Sequence, residues 1–416
     1  MRVFARVFAI AASILGAAAV LPAVSLTVGN PSISSAVADA GVSDSTLIDL
    51  NNPASATGSL TAVRFGWGVS SCAVAGKVKI FRRTGDSLTL TAEQAVNTLT
   101  PSGDFFTAAL SPALPIRQGD LIGIYGSGSC GNPVYLSNPF AGSFLIYSGD
   151  VEGTRPFDPS LVASGGVAVS GTGIVSEYRA GVIPGVGSGP GLNGANFKTS
   201  LQMIAPVVGA DVTGRLVFHP VGAGGSVDDP SIDIFVPRGH ALSFADVVVA
   251  MGQTGFGTLD LIVSADSAVP VTLARNFNDQ GSAGSSGLGE ELVAESGAFS
   301  NAGQIVPAGF TGYLSAPADP GKARLNIGLR TLDSGAFVTF QLEDSAGNLK
   351  ATSQSAFPPN YFNQFHAEQM FGMDLAANDV VEVSVSTGSA IVFGATTDNV
   401  TNDPSAQFVH PVFGVL

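Results

Sequence analysis

Short segments in which apolar and polar side chains alternate recur along nearly all of this 416-residue chain, and each is cut off by Gly, Pro, Ser or Asp. Leu60-Thr61-Ala62-Val63-Arg64-Phe65, Gly76-Lys77-Val78-Lys79-Ile80-Phe81 and Thr258-Leu259-Asp260-Leu261-Ile262-Val263 show the pattern. A period of two sends alternate side chains to opposite sides of an extended strand, so such a chain buries its apolar half by stacking sheets. Composition argues the same way. The 52 Gly and 24 Pro supply turns, while charged residues are only 12% of the chain, too few for the Glu- and Lys-rich faces of long helices. The expected fold class is all-β.

Length calls for two or three cores rather than one. Residues 44–178 hold seven or eight short strands at regular spacing and are expected to form a jelly-roll-like β-sandwich. Within them, Pro115-Ile116-Arg117-Gln118-Gly119-Asp120-Leu121-Ile122 resembles the turn-then-strand of bacterial jelly-roll modules. Residues 179–196 are rich in Gly and Pro without alternation and read as a linker, part of which can lie along the next module as an edge.

Beyond the linker the sequence duplicates itself. Thr199-Ser200-Leu201-Gln202-Met203-Ile204 matches Ala323-Arg324-Leu325-Asn326-Ile327-Gly328, and Gly214 to Phe218 matches Ala336 to Phe340. Pro237 to Phe244 answers Pro358 to Phe365, each followed by a short helix-compatible stretch, Ala245 to Met251 and His366 to Phe371. Thr258 to Val263 then answers Val380 to Val385, and Val269 to Ala274 answers Ser389 to Gly394. A fixed order of matches at a near-constant offset marks an internal repeat. Two immunoglobulin-like β-sandwich repeats are therefore expected, over 197–287 and 321–410, joined by a connecting segment, 288–320, that contributes strands bridging the two. The Cys and Trp hallmarks of antibody domains are absent, so the architecture alone is implied.

Phe197-Lys198-Thr199-Ser200, Pro317-Ala318-Asp319-Pro320, Asn326-Ile327-Gly328-Leu329-Arg330-Thr331-Leu332, Pro358-Pro359-Asn360-Tyr361-Phe362 and Gly394-Ala395-Thr396-Thr397-Asp398-Asn399 give the region from Ile183 to Ser405 a further likeness. It resembles a family of exported bacterial proteins of uncharacterised activity, which implies a repeated surface module and no catalytic residue.

Export is also legible at the start. Arg2 and Arg6 precede an Ala-rich apolar run from Val7 to about Leu26, and Ala36-Val37-Ala38 and Ala38-Asp39-Ala40 offer small-x-small cleavage sites. Residues 1–40 read as a signal peptide, with an uncleaved membrane anchor as the other reading. The expected location is periplasmic, extracellular or at the cell surface. The only two cysteines, Cys72 and Cys130, each sit in a Gly/Ser-rich turn of the first module and are expected to pair as a disulfide in an oxidising compartment. A net charge of −14, with 18 basic against 32 acidic residues, argues against nucleic acid and against an anionic membrane surface as partners.

A search for chemistry finds little. The chain lacks nucleophile-elbow, zinc-protease, phosphate-loop and dinucleotide patterns. Trp67, between two glycines, with Tyr125 and Tyr135 in the same module, offers a carbohydrate platform; its alternation in phase with Val63 and Phe65 offers core instead. Asp398, Asn402 and Asp403 are oxygen donors in one turn, a set that suits calcium or equally a strand-ending turn bonded to its own backbone. The four His read as turn or capping residues, and Arg82-Arg83 as a cation pair bridged to a nearby acid. The expectation is a non-catalytic, cofactor-free protein for attachment to a surface or matrix component or for structural interaction. The alternatives are carbohydrate binding through the first module and, behind it, a glycan-active hydrolase whose carboxylates leave no local motif.

Overall fold

The computed structural model describes residues 25–31, 40–68, 76–96, 100–102, 105–127, 134–136, 142–191, 194–295 and 302–412. The chain is all-β; among the described residues its sheets are antiparallel and it has two α-helices, of four and five residues, Val247–Ala250 and Ala367–Phe371. Both fall where the repeat predicts helix-compatible sequence; the first is capped by Asp246, whose carboxylate accepts from the Val249 N–H.

The first module is a two-layer sandwich. One layer has seven strands, in the order Thr154–Pro156, Ser87–Val96, Gly76–Thr84, Leu121–Gly126, Ser45–Asp49, Ser143–Ser148 and Val162–Ser164. Facing it are Phe105–Ile116, Thr57–Gly66, the start of Val169–Pro190 and Leu26–Gly29. Alternation fills the space between: Leu47, Val78, Ile80, Ile122 and Ile124 from one layer meet Leu26, Leu60, Val63, Phe65 and Val169 from the other, all fully or almost fully buried.

Two boundaries read from the sequence are corrected here. Leu26–Gly29 pairs with Ser170 to Gly173 and buries Leu26 and Val28, so a leader removed at residue 40 would carry away a core strand. A leader that kept this strand would end before Leu26.

The second correction concerns 179–196. Val169–Pro190 is one strand of 22 residues, which pairs with Thr57–Gly66 in the first module and with Gly255–Ser264 in the next. Its glycines serve close approach rather than flexibility. A Cβ on Gly181 would lie 2.5 Å from the Val293 carbonyl oxygen, and one on Gly187 would lie 2.5 Å from the Phe256 ring. Glycine removed the alternation from the sequence while the backbone kept it.

The two repeats are built to one pairing plan. In the first, one sheet runs Ser231–Val236, Val212–Pro220, Gly255–Ser264 and Val169–Pro190, and the other Ala241–Phe244, Asn196–Ile204, Val271–Asp279 and Ser285–Glu291. In the second, Ala323–Glu343 and Val380–Asp398 each bend from one sheet into the other and so do the work of two strands. Their later and earlier halves join Leu349–Phe357 and Phe310–Ser315 in one sheet; their other halves join Phe362–His366 and Pro404–Phe408 in the second. Leu201, Met203, Leu259 and Leu261 are core in the first repeat, and Leu325, Ile327, Val381 and Val383 in the second. The connecting segment supplies Ile305–Pro307 and Phe310–Ser315 to the second repeat. The strand Ser285–Glu291 belongs to the first and crosses the boundary drawn at 287.

Candidate functional site

The densest polar chemistry lies where the three sandwiches meet. Arg179 leaves the first module on the long strand and is buried there. Its guanidinium donates to Asp260 Oδ2 at 3.0 Å, to Asp333 Oδ1 and Oδ2 at 3.1 and 3.0 Å, to Asn360 Oδ1 at 3.0 Å and to Glu295 Oε2 at 2.9 Å. Arg330, fully buried, donates to the other Asp260 oxygen at 2.7 Å, to Thr258 Oγ1 at 3.1 Å and to Asn360 Oδ1 at 3.0 Å. Gln118 ties in the first module by accepting from the Arg179 N–H at 2.8 Å and donating to Asp333 at 3.2 Å.

His219 closes the group. Its Nδ1 is 2.7 Å from Asp229 Oδ2, and its Nε2 is 3.1 Å from Asp260 Oδ2, off the line of a hydrogen bond. Burial works against its protonation, but the neighbouring Asp260 and Asp229 carboxylates outweigh it and raise its pKa. Burial likewise opposes ionisation of Asp260, yet Arg330, Arg179 and His219 hold it well below the usual carboxylate range. For Glu295 burial prevails over Arg179 and the pKa is raised. The group spans all three modules, and its charges are spent on one another.

Beside it, a cleft of 780 Å³ opens between the first module and the second repeat, with Asn51, Arg83, Phe157, Phe337, Phe357 and Asp333 among its walls. Arg83 lies over the Phe157 ring at 3.7 Å, which desolvates the guanidinium and lowers its pKa. Arg82 is bridged to Asp120 through Nε at 2.9 Å and Nη2 at 3.0 Å. Two carboxylates at the cleft are thus engaged by arginines, Asp120 by Arg82 and Asp333 by Arg179, and the aromatic edges and the Ser and Thr hydroxyls of its rim, Ser334, Ser386 and Thr387, supply neutral contacts.

The residues singled out from sequence are placed as follows. Trp67 is buried in the first core, its ring edge-on to Phe65 at 5.8 Å, so its face is not open to a sugar. Tyr125 lies on the other side of that layer and donates to Asp44 Oδ1 at 3.0 Å. Tyr135 pairs through its backbone with Val167 and Ala40. Trp67 and Tyr125 do not share one platform. Cys72 and Cys130 lie outside the described residues, as do residues 1–24 and 32–39 of the expected signal peptide.

In the C-terminal turn, Asp398 Oδ1 accepts from the Val400 and Thr401 N–H groups at 2.9 and 2.7 Å, and Arg324 donates to Asn402 Oδ1 at 2.9 Å and Asn399 Oδ1 at 3.2 Å. An arginine thus stands where the calcium reading put a cation, and Asp403 accompanies the turn through its backbone, donating to Thr401 Oγ1 at 3.3 Å. Among the described residues there is no group of three or more His, Cys, Asp or Glu able to hold a metal ion, and no helix long and apolar enough to cross a membrane.

Sequence reasoning passed over Arg179, Asp260, Asp333 and Arg330 because each alternates outward from an apolar strand or sits in a turn, which reads as solvent. The available signal was a charge inside an otherwise apolar run, as in Leu259-Asp260-Leu261 and Gly328-Leu329-Arg330-Thr331-Leu332. No protein-family model matches the chain, and no curated protein matches it.

Proposed function

We propose that this is an exported, non-catalytic protein of attachment or structural interaction, in which three β-sandwiches are held as one body. The observation that carries the reading is the buried Arg179–Asp260–Arg330 group. It joins all three modules, and it leaves these buried ionisable residues engaged with each other rather than facing a substrate. Buried ion networks of this kind give little net stability, and in some proteins they fix one arrangement among several.

A second reading, glycan binding, is favoured by the cleft between the first module and the second repeat rather than by Trp67. Its aromatic edges and hydroxyls match what a neutral saccharide presents. Both readings are tested by exposing the full chain to arrays of glycans and matrix proteins, with product analysis on every bound glycan. Binding without turnover supports the proposal, and retention of a saccharide that is lost in a Phe357→Ala variant assigns it to the cleft. Release of a cleaved product would overturn the non-catalytic reading.

A further inference from the structure

The shared pairing plan allows the repeats to be compared face by face. The outer face of the second repeat carries Arg330 opposite Ile391 and Gly328 opposite Phe393. The first repeat covers that face with Val182, Val293 and Asp260: Val182, Val293 and Ile391 are all 0% exposed and share a small apolar cluster, and Asp260 meets Arg330. One face of each repeat is thereby used, a receiving face on the second and a covering face on the first.

The unused counterparts lie elsewhere on the same chain. By strand register, Ile204 opposite Val271 and Gln202 opposite Leu273 take the places of Arg330 opposite Ile391 and Gly328 opposite Phe393, two residues out of step with the sequence match that set Ile204 against Gly328, and they form the first repeat's receiving face. There Ile204, Val271 and Leu273 are 47%, 66% and 50% exposed, with Val207 and Val208 exposed in the adjoining loop. The loop in the same position of the second repeat is docked on the first module, with Leu332 buried and Asp333 bonded to Gln118. The second repeat's covering face is Tyr313 opposite Glu382, the positions that Val182 and Asp260 hold in the first. Val412 bridges to the same strand at Thr311, two residues from Tyr313, whereas Val293 pairs with Val182 itself. Tyr313 and Val412 are 48% and 43% exposed.

The described residues therefore carry two open faces, one apolar and one formed by Tyr313 and Val412 beside Glu382, whose counterparts are joined inside the chain. We propose that copies of this chain assemble head to tail, the Tyr313 and Val412 face of one copy seated on the Ile204, Val271 and Leu273 face of the next. The contact is heterologous: it uses different surfaces on the two partners, so it repeats into a filament or closes into a ring. It differs from the internal interface in one respect. Ile204 stands where Arg330 stands, so association rests on apolar burial rather than on an ion pair. The inference holds whether or not the protein adheres to anything else.

The test is sedimentation velocity of the full chain from low concentration up to the order of 100 μM. Wild type forms species beyond the monomer that grow with concentration. Leu273→Asp and Tyr313→Asp, both at exposed positions and checked by circular dichroism to melt like wild type, each weaken association at least ten-fold. Mixed in equal amounts they form a dimer and nothing larger, because each variant retains the face that the other has lost. A monomeric wild type over the whole range, a mixture that stays monomeric, or assembly that is lost with Leu273→Asp and kept with Tyr313→Asp would overturn the proposal.

Discussion

At the scale of single residues, the junction sets the largest expected effects. Asp260 is the acid shared by two buried guanidiniums and a histidine. Replacing it with Ala leaves those cations without their common partner, and urea denaturation is expected to show a loss of about 3–5 kcal/mol. Glu290 is a different case. It is buried near the Asn276 amide and the Gly185 N–H, and its Oε2 has no hydrogen-bond partner. Burial pushes its pKa up to about 7 from an ordinary 4.5. The folded protein therefore holds this proton more tightly than the unfolded chain. The associated stability is complete below about pH 4.5 and is lost as pH rises through 7, a swing of roughly 3 kcal/mol. Melting temperatures from pH 5 to 8 are expected to fall less steeply for Glu290→Gln than for wild type, and equal slopes would show that this carboxyl is not the source. His219 adds to the same direction, since its raised pKa means stability that fades as the imidazole loses its proton.

At the scale of elements, much was legible and the failures share a cause. Period-two alternation placed Val63 and Phe65 in a core, and the stretches marked helix-compatible along the repeat hold both short helices. The linker was misread because it depends on partners far along the chain. Gly181 and Gly187 carry no side chain to alternate, and their strand exists because Val293 and Phe256 pack against it. The junction was hidden for a related reason: alternation tells which side chains turn outward, and the outward side of Asp260 or Arg330 meets another module instead of water. A trimming experiment checks the leader boundary. A chain starting at Ser25 is expected to keep the full melting temperature of the first module, whereas one starting at Val42 lacks the strand bearing Leu26 and Val28. At 2–5 kcal/mol for each large buried aliphatic side chain removed, the shorter chain is expected to melt at least ten degrees lower.

At the scale of the whole molecule, the long strand Val169–Pro190 sets the mechanics. It passes from the facing layer of the first sandwich into the first repeat without an intervening loop, paired along both stretches. A pull that separates these two sandwiches meets no slack segment to take up the strain. The force runs lengthwise along a shared spar and reaches the rungs of both ladders in shear, many at once, instead of unzipping them singly. A chain that tethers a cell or holds its neighbours in a row would stay taut under such tension, and it would yield only when one whole sandwich gives way.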